Sequence, residues 1–438
     1  MRRKKLKNFG SGLLAPLLII VAVALSILIP EAKALLVVNG SYPAVVCPGV
    51  FAGGREVISL PNKKLSTRVI LGTGIKLKVQ NTMKINGASA PTLVSGNPGS
   101  EIAFLSSSES TKSAAVCEVG GSDQWFIGGS GGVTSQGTLQ IINSGLSDST
   151  VQIFPYNSKI SLAPISVTVK ANSGKSFALA SIAPGDESVA FHVVALAGRV
   201  SSFLLDHRKN GLHDLGSSFV APVSAPAAIS YIAGLYGSST KAASVMRFLV
   251  PGNVNATVHL TIYSEGGAFT PFGFDSLSVA RQRVVDVPLP ALSLTSPFGI
   301  GIKSDQPLFA ATLTRTTAGG ADFSWANQLR MFSSFRVNFV DAKVQFFFIG
   351  KSLALRAQWN DAKGQAQSAL IRGDSSALWS PSGVLSSITF RPLSKSPIFG
   401  GALVSKGVGG YSNLPLLSNV LASRAQAPIA DLRTLTRH

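Results

Sequence analysis

The chain has 438 residues, and 45% of them are hydrophobic, which excludes wholesale disorder and provides for several packed cores. This length accommodates roughly two to four domains. Only 13% of the residues are charged, but Lys and Arg outnumber Asp and Glu by 39 to 20, giving a net charge of +19.

Residues 1–34 have the pattern of a membrane-targeting segment. A basic cluster at residues 2–7 precedes the uncharged residues 8–30, which as a helix would extend about 34 Å and cross a bilayer core of about 30 Å. The sequence predicts one transmembrane anchor, with a cleaved signal peptide ending near Ala34 as the alternative. The basic flank favours a cytoplasmic N-terminus, so the predicted protein is single-pass in the cell membrane, or secreted after cleavage.

The two cysteines, Cys47 and Cys117, are predicted to form a disulfide, because an oxidising compartment favours pairing of thiols. A metal site is the poorer alternative, since no histidine lies near either cysteine at a zinc-ligand spacing. We therefore predict no metal and no cofactor.

Beyond residue 34, apolar and polar residues alternate with a period of two in short segments. These segments are separated by Gly, Pro, Asn and Ser, which favour turns. Residues 138–143 and 150–154 show the pattern clearly. It predicts short antiparallel strands, and no sustained helical periodicity accompanies it.

The same order of strands recurs about 106 residues later. Residues 125–128 match residues 231–234, and residues 139–142 match residues 246–249. A looser third copy begins near Lys343, with three consecutive phenylalanines at 346–348. Neighbouring residues of a strand point to opposite faces of the sheet, so at least one of these rings lies on the other face from its neighbours. This indicates either an interface with another module or a partner, or a strand that is buried on both faces. Such repetition indicates one supersecondary unit used several times.

The predicted fold is all-β, with tandem antiparallel immunoglobulin-like β-sandwich modules after the N-terminal segment. The alternative is a six- or seven-bladed β-propeller. The expected division is a β domain with the disulfide at 35–122, sandwich modules at 123–228 and 229–320, and a basic β module with the C-terminal tail at 321–438.

The basic charge is concentrated in residues 321–438, where thirteen Lys and Arg face five Asp. This excess favours an anionic partner, and export makes nucleic acid an improbable one. Three tryptophans of this region, Trp325, Trp359 and Trp379, are candidate contacts for a sugar polymer or a protein partner, although core packing is the usual role of tryptophan.

Two short motifs invite a catalytic interpretation. Residues 128–132 satisfy G-x-S-x-G, but a nucleophile elbow needs a strand–turn–helix context, and these flanks predict strands. Residues 206–208 and 213–214 gather two His and two Asp without a standard ligand spacing. We predict no catalytic residues, and an unrecognised hydrolase is the alternative.

Several segments resemble exported actinobacterial proteins grouped as domain of unknown function 5719. They are Cys47-Pro48-Gly49, the second cysteine before Trp125-Phe126-Ile127-Gly128-Gly129, and the stretches at 198–208, 266–269, 283–287 and 322–326. The similarity extends over residues 45–330. It implies a membrane-attached envelope protein and supplies no reaction.

The expected function is therefore that of a non-enzymatic cell-envelope protein whose extracytoplasmic β domain acts as a scaffold or protein-interaction module. Its expected partners are the cytoplasmic membrane and an envelope protein or anionic wall polymer. The alternative is binding of anionic or sugar polymers through the basic, Trp-containing C-terminal modules.

Overall fold

The computed structural model describes most of the chain between residues 38 and 426. The described residues are 38–41, 43–51, 55–70, 78–80, 82–87, 90–96, 98–107, 112–159, 162–236, 244–290, 292, 294, 296–316, 322–331, 333–361, 364–383, 385–405, 411–417 and 423–426. The predicted membrane segment at 1–34 lies outside them. In the part of the chain that is described, no helix is long and apolar enough to span a membrane.

The described strands fall into four consecutive repeats. After β1 (Val38–Ser41), repeat 1 contains β2 (Val45–Cys47), β3 (Arg55–Ser59), β4 (Leu65–Val69), β5 (Lys78–Gln80), β6 (Lys84–Asn86), β7 (Thr92–Ser95), β8 (Glu101–Ser107), β9 (Lys112–Val116) and β10 (Glu118–Val119). Repeat 2 contains β11 (Asp123–Ile127), β12 (Thr138–Asn143), β13 (Ser149–Tyr156), β14 (Ile165–Val169), β15 (Ser173–Ala178), the short helix α1 (Leu179–Ile182), β16 (Ala190–Ala197), β17 (Ser201–Asn210) and β18 (His213–Val220).

The second half of the chain continues the series. Repeat 3 contains β19 (Ala227–Leu235), β20 (Val245–Leu249), β21 (Ala256–Ser264), β22 (Gly267–Phe269), β23 (Leu277–Val279), β24 (Val284–Pro288), β25 (Phe298–Thr316) and β26 (Asp322–Asn327). Repeat 4 contains β27 (Phe335–Ala342), β28 (Val344–Ile349), β29 (Leu353–Asn360), β30 (Ala366–Gly373), β31 (Ser376–Trp379), β32 (Leu385–Pro392), β33 (Phe399–Ser405) and β34 (Tyr411–Pro415), and β35 (Ser423–Gln426) follows.

The chain divides into two compact units. One consists of residues 1–41 and 423–438, in which β1 pairs antiparallel with β35. The other, Tyr42–Ala422, holds all four repeats.

Every repeat is a sandwich of two sheets with one strand order. In repeat 2 the sheets run β11-β16-β13-β14 and β15-β12-β17-β18, so consecutive strands lie in different sheets except for the paired strands β13–β14 and β17–β18. The other three repeats have the same order, and in repeat 3 the long β25 serves as the sixth and the seventh strand. The predicted all-β sandwich class is confirmed. The propeller alternative does not fit, because a blade forms one sheet from consecutive strands.

The alternation in the sequence explains the two-sheet packing. Along β29, buried and more accessible residues alternate strictly, which is the burial expected when one strand face meets a core. The three phenylalanines of β28 are all buried. Phe346 and Phe348 pack in the core of repeat 4, whereas Phe347 packs against Ala233 and Leu329 of repeat 3 and its linker. The strand is therefore buried on both faces, with one face at an inter-repeat interface.

Four equivalent serines connect the last strands of the repeats in a closed ring. The Ser218 hydroxyl accepts the Trp325 amide, the Ser324 hydroxyl accepts the Asn413 amide, and the Ser412 hydroxyl accepts the Ala114 amide, each at 2.9 Å. Ser113 then donates to the Ser217 carbonyl at 3.0 Å. The four hydroxyl-bearing strands β9, β18, β26 and β34 thus surround a common centre.

Repeat 4 also meets repeat 1 edge to edge. Here β27 pairs in parallel with β8, which extends a single sheet across the junction, β30-β29-β32-β27-β8-β3-β6. Elsewhere the repeats meet face to face, as where Phe309 of repeat 3 stacks on Trp125 of repeat 2 with ring centroids 4.5 Å apart. The edge-to-edge junction leaves the outer face of the β30-β29-β32-β27 sheet uncovered by the next repeat.

The observed repeats differ from the expected division in two places. The boundary predicted at residue 320 falls between β25 and β26, which pair with each other, because residues 322–327 complete the sheet of repeat 3. Residues 45–116, expected to be a separate N-terminal domain, have the strand order of the other repeats. The sequence did not reveal this copy because its strands are short.

Cys47 and Cys117 form the predicted disulfide, with Cα atoms 4.3 Å apart. Both cysteines are fully buried in the core of repeat 1, beside Val45, Ile58 and Phe104. The bridge ties β2 to the segment between β9 and β10.

The buried carboxyl of Glu118, the residue after Cys117, predicts a pH dependence of stability. Burial, with a smaller contribution from the charge of Glu101, raises the pKa of Glu118 to about 8, and Arg330 opposes this. Because the folded protein holds the proton more tightly than the unfolded chain, the stabilisation is present below about pH 4.5 and is lost as pH rises through about 8. Glu118→Gln mimics the protonated acid. In urea unfolding, the free energy of unfolding of this variant should therefore exceed that of the wild type by an amount that grows from pH 5 to pH 8.5. A constant difference between the two proteins over this range would contradict the prediction.

Candidate anion-binding face on the fourth repeat

The uncovered outer face of repeat 4 carries one arginine from each of four adjacent strands. In the order of the sheet these are Arg372 on β30, Arg356 on β29, Arg391 on β32 and Arg336 on β27, and all four are exposed. Each directly follows a buried residue, because neighbours along a strand face opposite ways; these residues are Ile371, Leu355, Phe390 and Phe335. We call this set the arginine row.

The strand register places the arginine row on a diagonal. Arg356 lies directly opposite Arg391, Arg372 lies opposite Ala354, and Arg336 lies opposite Thr389. Strands about 4.8 Å apart with a rise of about 3.3 Å per residue therefore give Cα steps of about 5 to 8 Å and a total span of about 20 Å.

No residue that the structure describes neutralises the charges of the arginine row. None of the four guanidinium groups has a hydrogen bond or ion pair with another described residue. Among the other outward residues of these strands whose burial the structure describes, none is charged; they are Ala354, Gln358, Asn360, Ala366, Ser368, Leu370, Ser387, Thr389 and Asn338. Like charges directly opposite on neighbouring strands destabilise a sheet, so the Arg356–Arg391 pair costs stability unless an anion binds between them.

A cleft of about 600 Å³ adjoins the upper end of this face. Arg336 belongs both to the arginine row and to the lining of this cleft, which we call the polar cleft. Its wall from repeat 1 comprises Leu60, Pro61, Asn62, Lys63 and Met83, and its wall from repeat 4 adds Asn338, Phe339, Asn360, Asp361, Gly364, Leu385, Ser386 and Ser387. A groove and a charged row thus form one continuous surface.

Comparison with family models matches residues 52–367 to a family of unknown function, DUF5719. The chain belongs to this family. The resemblance noted in the sequence is thereby confirmed. Comparison with the curated proteins gives no match. A crystal structure of a tetra-tandem repeat in the extending region of a large adhesion protein aligns with 86% of this chain and 98% of that one, at 12% identity and a TM-score of 0.12.

Of the three candidate tryptophans of this DUF5719 protein, the structure buries Trp325 and Trp359 in its cores and packs Trp379 against the core of repeat 4. Trp325 is only 2% exposed, and its indole N–H donates to Asp206 Oδ2 at 2.8 Å. Trp359 is 9% exposed, and Trp379, which is half-buried, contacts it edge to face at 5.1 Å between ring centroids. Neither Trp325 nor Trp359 presents a ring face to a polymer, so their predicted surface role is corrected; large aromatic rings fill the interior first.

The G-x-S-x-G segment is a tightly packed turn. A Cβ at Gly131 would lie 1.7 Å from the Ala183 carbonyl oxygen, so only glycine fits. The buried Ser130 hydroxyl donates to Glu187 Oε2 at 2.7 Å and accepts the Gly132 amide at 3.1 Å. These contacts hold the turn against α1 and the following loop.

The motif at 206–208 also has a structural role. Asp206 is fully buried and pairs with Arg208 at 2.8 Å while accepting the Trp325 indole. His207 contacts Asp214 at 3.1 Å across the β17–β18 hairpin. These family motifs therefore hold repeat 2 against repeat 3.

The basic excess of residues 321–438 was predicted from the sequence, but the arginine row was not. Two signals were available: the alternation of β29 and the placement of single arginines on successive strands. Only the strand register shows that the four side chains share one face.

Proposed function

We propose that this DUF5719 protein is a non-enzymatic binding protein whose fourth repeat holds a linear anionic polymer along the arginine row. The observation that carries the proposal is the unpaired diagonal of Arg372, Arg356, Arg391 and Arg336 on an uncovered sheet face. A guanidinium can bind a phosphate or carboxylate through two parallel hydrogen bonds, and such charge-assisted bonds are stronger than neutral ones.

The length of the row favours a polymer over a small anion. One phosphate or carboxylate group could bridge the neighbouring pair Arg356 and Arg391. Reaching all four arginines requires a ligand with successive negative charges over about 20 Å, as the strand spacing implies.

The chemistry of the face also favours a polymer over a protein scaffold partner. Stable protein interfaces have aromatic or aliphatic anchors at their centre. Among the outward residues of these four strands whose burial is described, Leu370 is the one large exposed aliphatic side chain, with 49% exposure. The scaffold role and the envelope location stay predictions from the sequence.

The test is charge reversal in the middle of the row. Arg356→Glu/Arg391→Glu should weaken binding of polygalacturonate and of inorganic polyphosphate to the full chain in mild detergent by about 100-fold or more. Two lost charge-assisted hydrogen bonds contribute at least about 1.5 kcal/mol each, and about 1.4 kcal/mol is tenfold in affinity. The readout is a titration at low ionic strength.

The matched control changes net charge by the same amount elsewhere. Arg199 and Arg283 are exposed residues of repeats 2 and 3. Arg199→Glu/Arg283→Glu should keep most of the affinity for both polyanions. Only a modest loss is expected, because the substitutions lower the net positive charge that attracts the polyanion to the protein. Equal losses in both double variants would show that net charge, not the row, governs binding, and would refute the proposal. Binding should also weaken with salt, because exposed charges are screened over about 8–10 Å at physiological ionic strength.

A further inference from the structure

Polar side chains of repeats 1 and 4 line the polar cleft. Asn62 and Asn360 face it from opposite repeats, and Ser386 and Ser387 lie beside Asn360. None of these four side chains has a hydrogen-bond partner among the described residues. Each amide offers two donors and an acceptor, and each hydroxyl offers both, so the set can bind a ligand rich in hydroxyl groups.

The rest of the lining is apolar on one side. Met83 contributes exposed apolar surface, being 48% exposed, and the buried Pro61, Phe339 and Leu385 also line the cleft. Pockets that bind small groups combine such apolar walls with a few placed polar groups. A sugar ring matches this division, because its hydroxyls form a polar rim around apolar C–H faces.

The charge of the cleft is mixed, unlike that of the arginine row. Lys63 and Arg336 are cationic, but Asp361 also lines the cleft. Its Oδ1 accepts the Gln365 amide at 2.9 Å and its Oδ2 faces Gln367 Nε2 at 3.3 Å, which holds the carboxylate in place. A carboxylate repels a bare phosphate and accepts hydrogen bonds from hydroxyls.

Resting on the proposed function, we infer that the polar cleft binds a glycosyl unit of the polymer that lies on the arginine row. The ligand class is therefore an anionic polysaccharide or a sugar-bearing polyanion, and not a polyanion without sugar. Arg336, shared by the row and the cleft, pairs with the acidic group nearest the bound sugar.

The test removes the amides and keeps the arginines. Asn62→Leu/Asn360→Leu should weaken binding of polygalacturonate by about tenfold, since the hydrogen bonds of both amides to the sugar are lost. Binding of inorganic polyphosphate, which has charge but no sugar, should stay within about twofold, and so also reports that the variant is folded. The matched control is Asn210→Leu/Asn253→Leu, at exposed asparagines of repeats 2 and 3, which should change neither affinity.

The outcomes separate this inference from the proposed function. Equal loss of both polymers in the cleft variant, or no loss of either, overturns the glycosyl assignment while the row variant still shows whether the arginines bind. If the wild-type chain binds neither polymer, or the row variant binds both as the wild type does, the proposed function fails and the cleft assignment fails with it.

Discussion

Replacing Arg247 with methionine should lower the free energy of unfolding by about 3–5 kcal/mol, because it removes the buried cation of an ion pair and leaves Asp286, which also accepts a hydrogen bond from Ser188, without its countercharge. Arg247 is 2% exposed in the middle of β20. Its Nε and Nη2 each donate to a different oxygen of Asp286 at 2.7 Å.

The same guanidinium also connects two repeats. It donates to the carbonyls of Gly129, Val189 and Glu187 in repeat 2, at 2.7, 2.9 and 3.0 Å. Its central carbon lies 4.8 Å from the centroid of the Trp325 ring, which adds a cation–π contact. Methionine fills a similar volume but satisfies none of these acceptors, and each buried unsatisfied group costs about 1–3 kcal/mol.

The control for this prediction is the same substitution at Arg283, an exposed residue one position before β24. Arg283→Met should change stability by no more than about 0.5 kcal/mol, as is usual at the surface. Urea unfolding of both variants and the wild type gives the comparison. A loss below about 1 kcal/mol in Arg247→Met would show that the network between repeats 2 and 3 contributes little to the fold.

Removing the disulfide with Cys47→Ala/Cys117→Ala should lower the free energy of unfolding by roughly 4 kcal/mol. The two residues are separated by 70 positions, and a cross-link of that length restricts the unfolded chain strongly. Both side chains are fully buried, so the loss of packing adds to the entropic effect.

The measurement is equilibrium unfolding of the double variant beside the wild type, oxidised and reduced. Because the bridge is buried, reductant should act on the wild type only after unfolding, and the reduced wild type should then unfold like the double variant. If the oxidised wild type and the double variant have equal unfolding midpoints, the bridge does not stabilise the chain.

The arginine row illustrates how a site depends on register. Arg336, Arg356, Arg372 and Arg391 are spread over 56 positions of sequence, among other basic residues of the same region. A slip of one residue in any strand pairing would move its arginine to the opposite sheet face. The sequence contains the charges, but the pairing of distant strands aligns them.

The burial of the tryptophans did not follow from their sequence context. Their positions at 325, 359 and 379 suggested a surface role because the region is basic. The structure uses them in cores, where Trp359 and Trp379 contact each other and Phe390 lies beside Trp379. Composition does not distinguish these roles, because burial depends on which face of each strand meets the second sheet.

The sequence by itself determined the features that depend on local pattern: an all-β chain, from alternation at period two; a repeated unit, from matches at about 106 residues; and the Cys47–Cys117 bridge, from a lone pair of cysteines. Only the tertiary structure decided the rest. The copy of the repeat at residues 45–116 is recognised from its strand order. The ring of Ser113, Ser218, Ser324 and Ser412 and the arginine row arise between segments far apart in the chain. Contacts of this kind are selected by how whole sheets pack and register, which no local stretch of residues specifies.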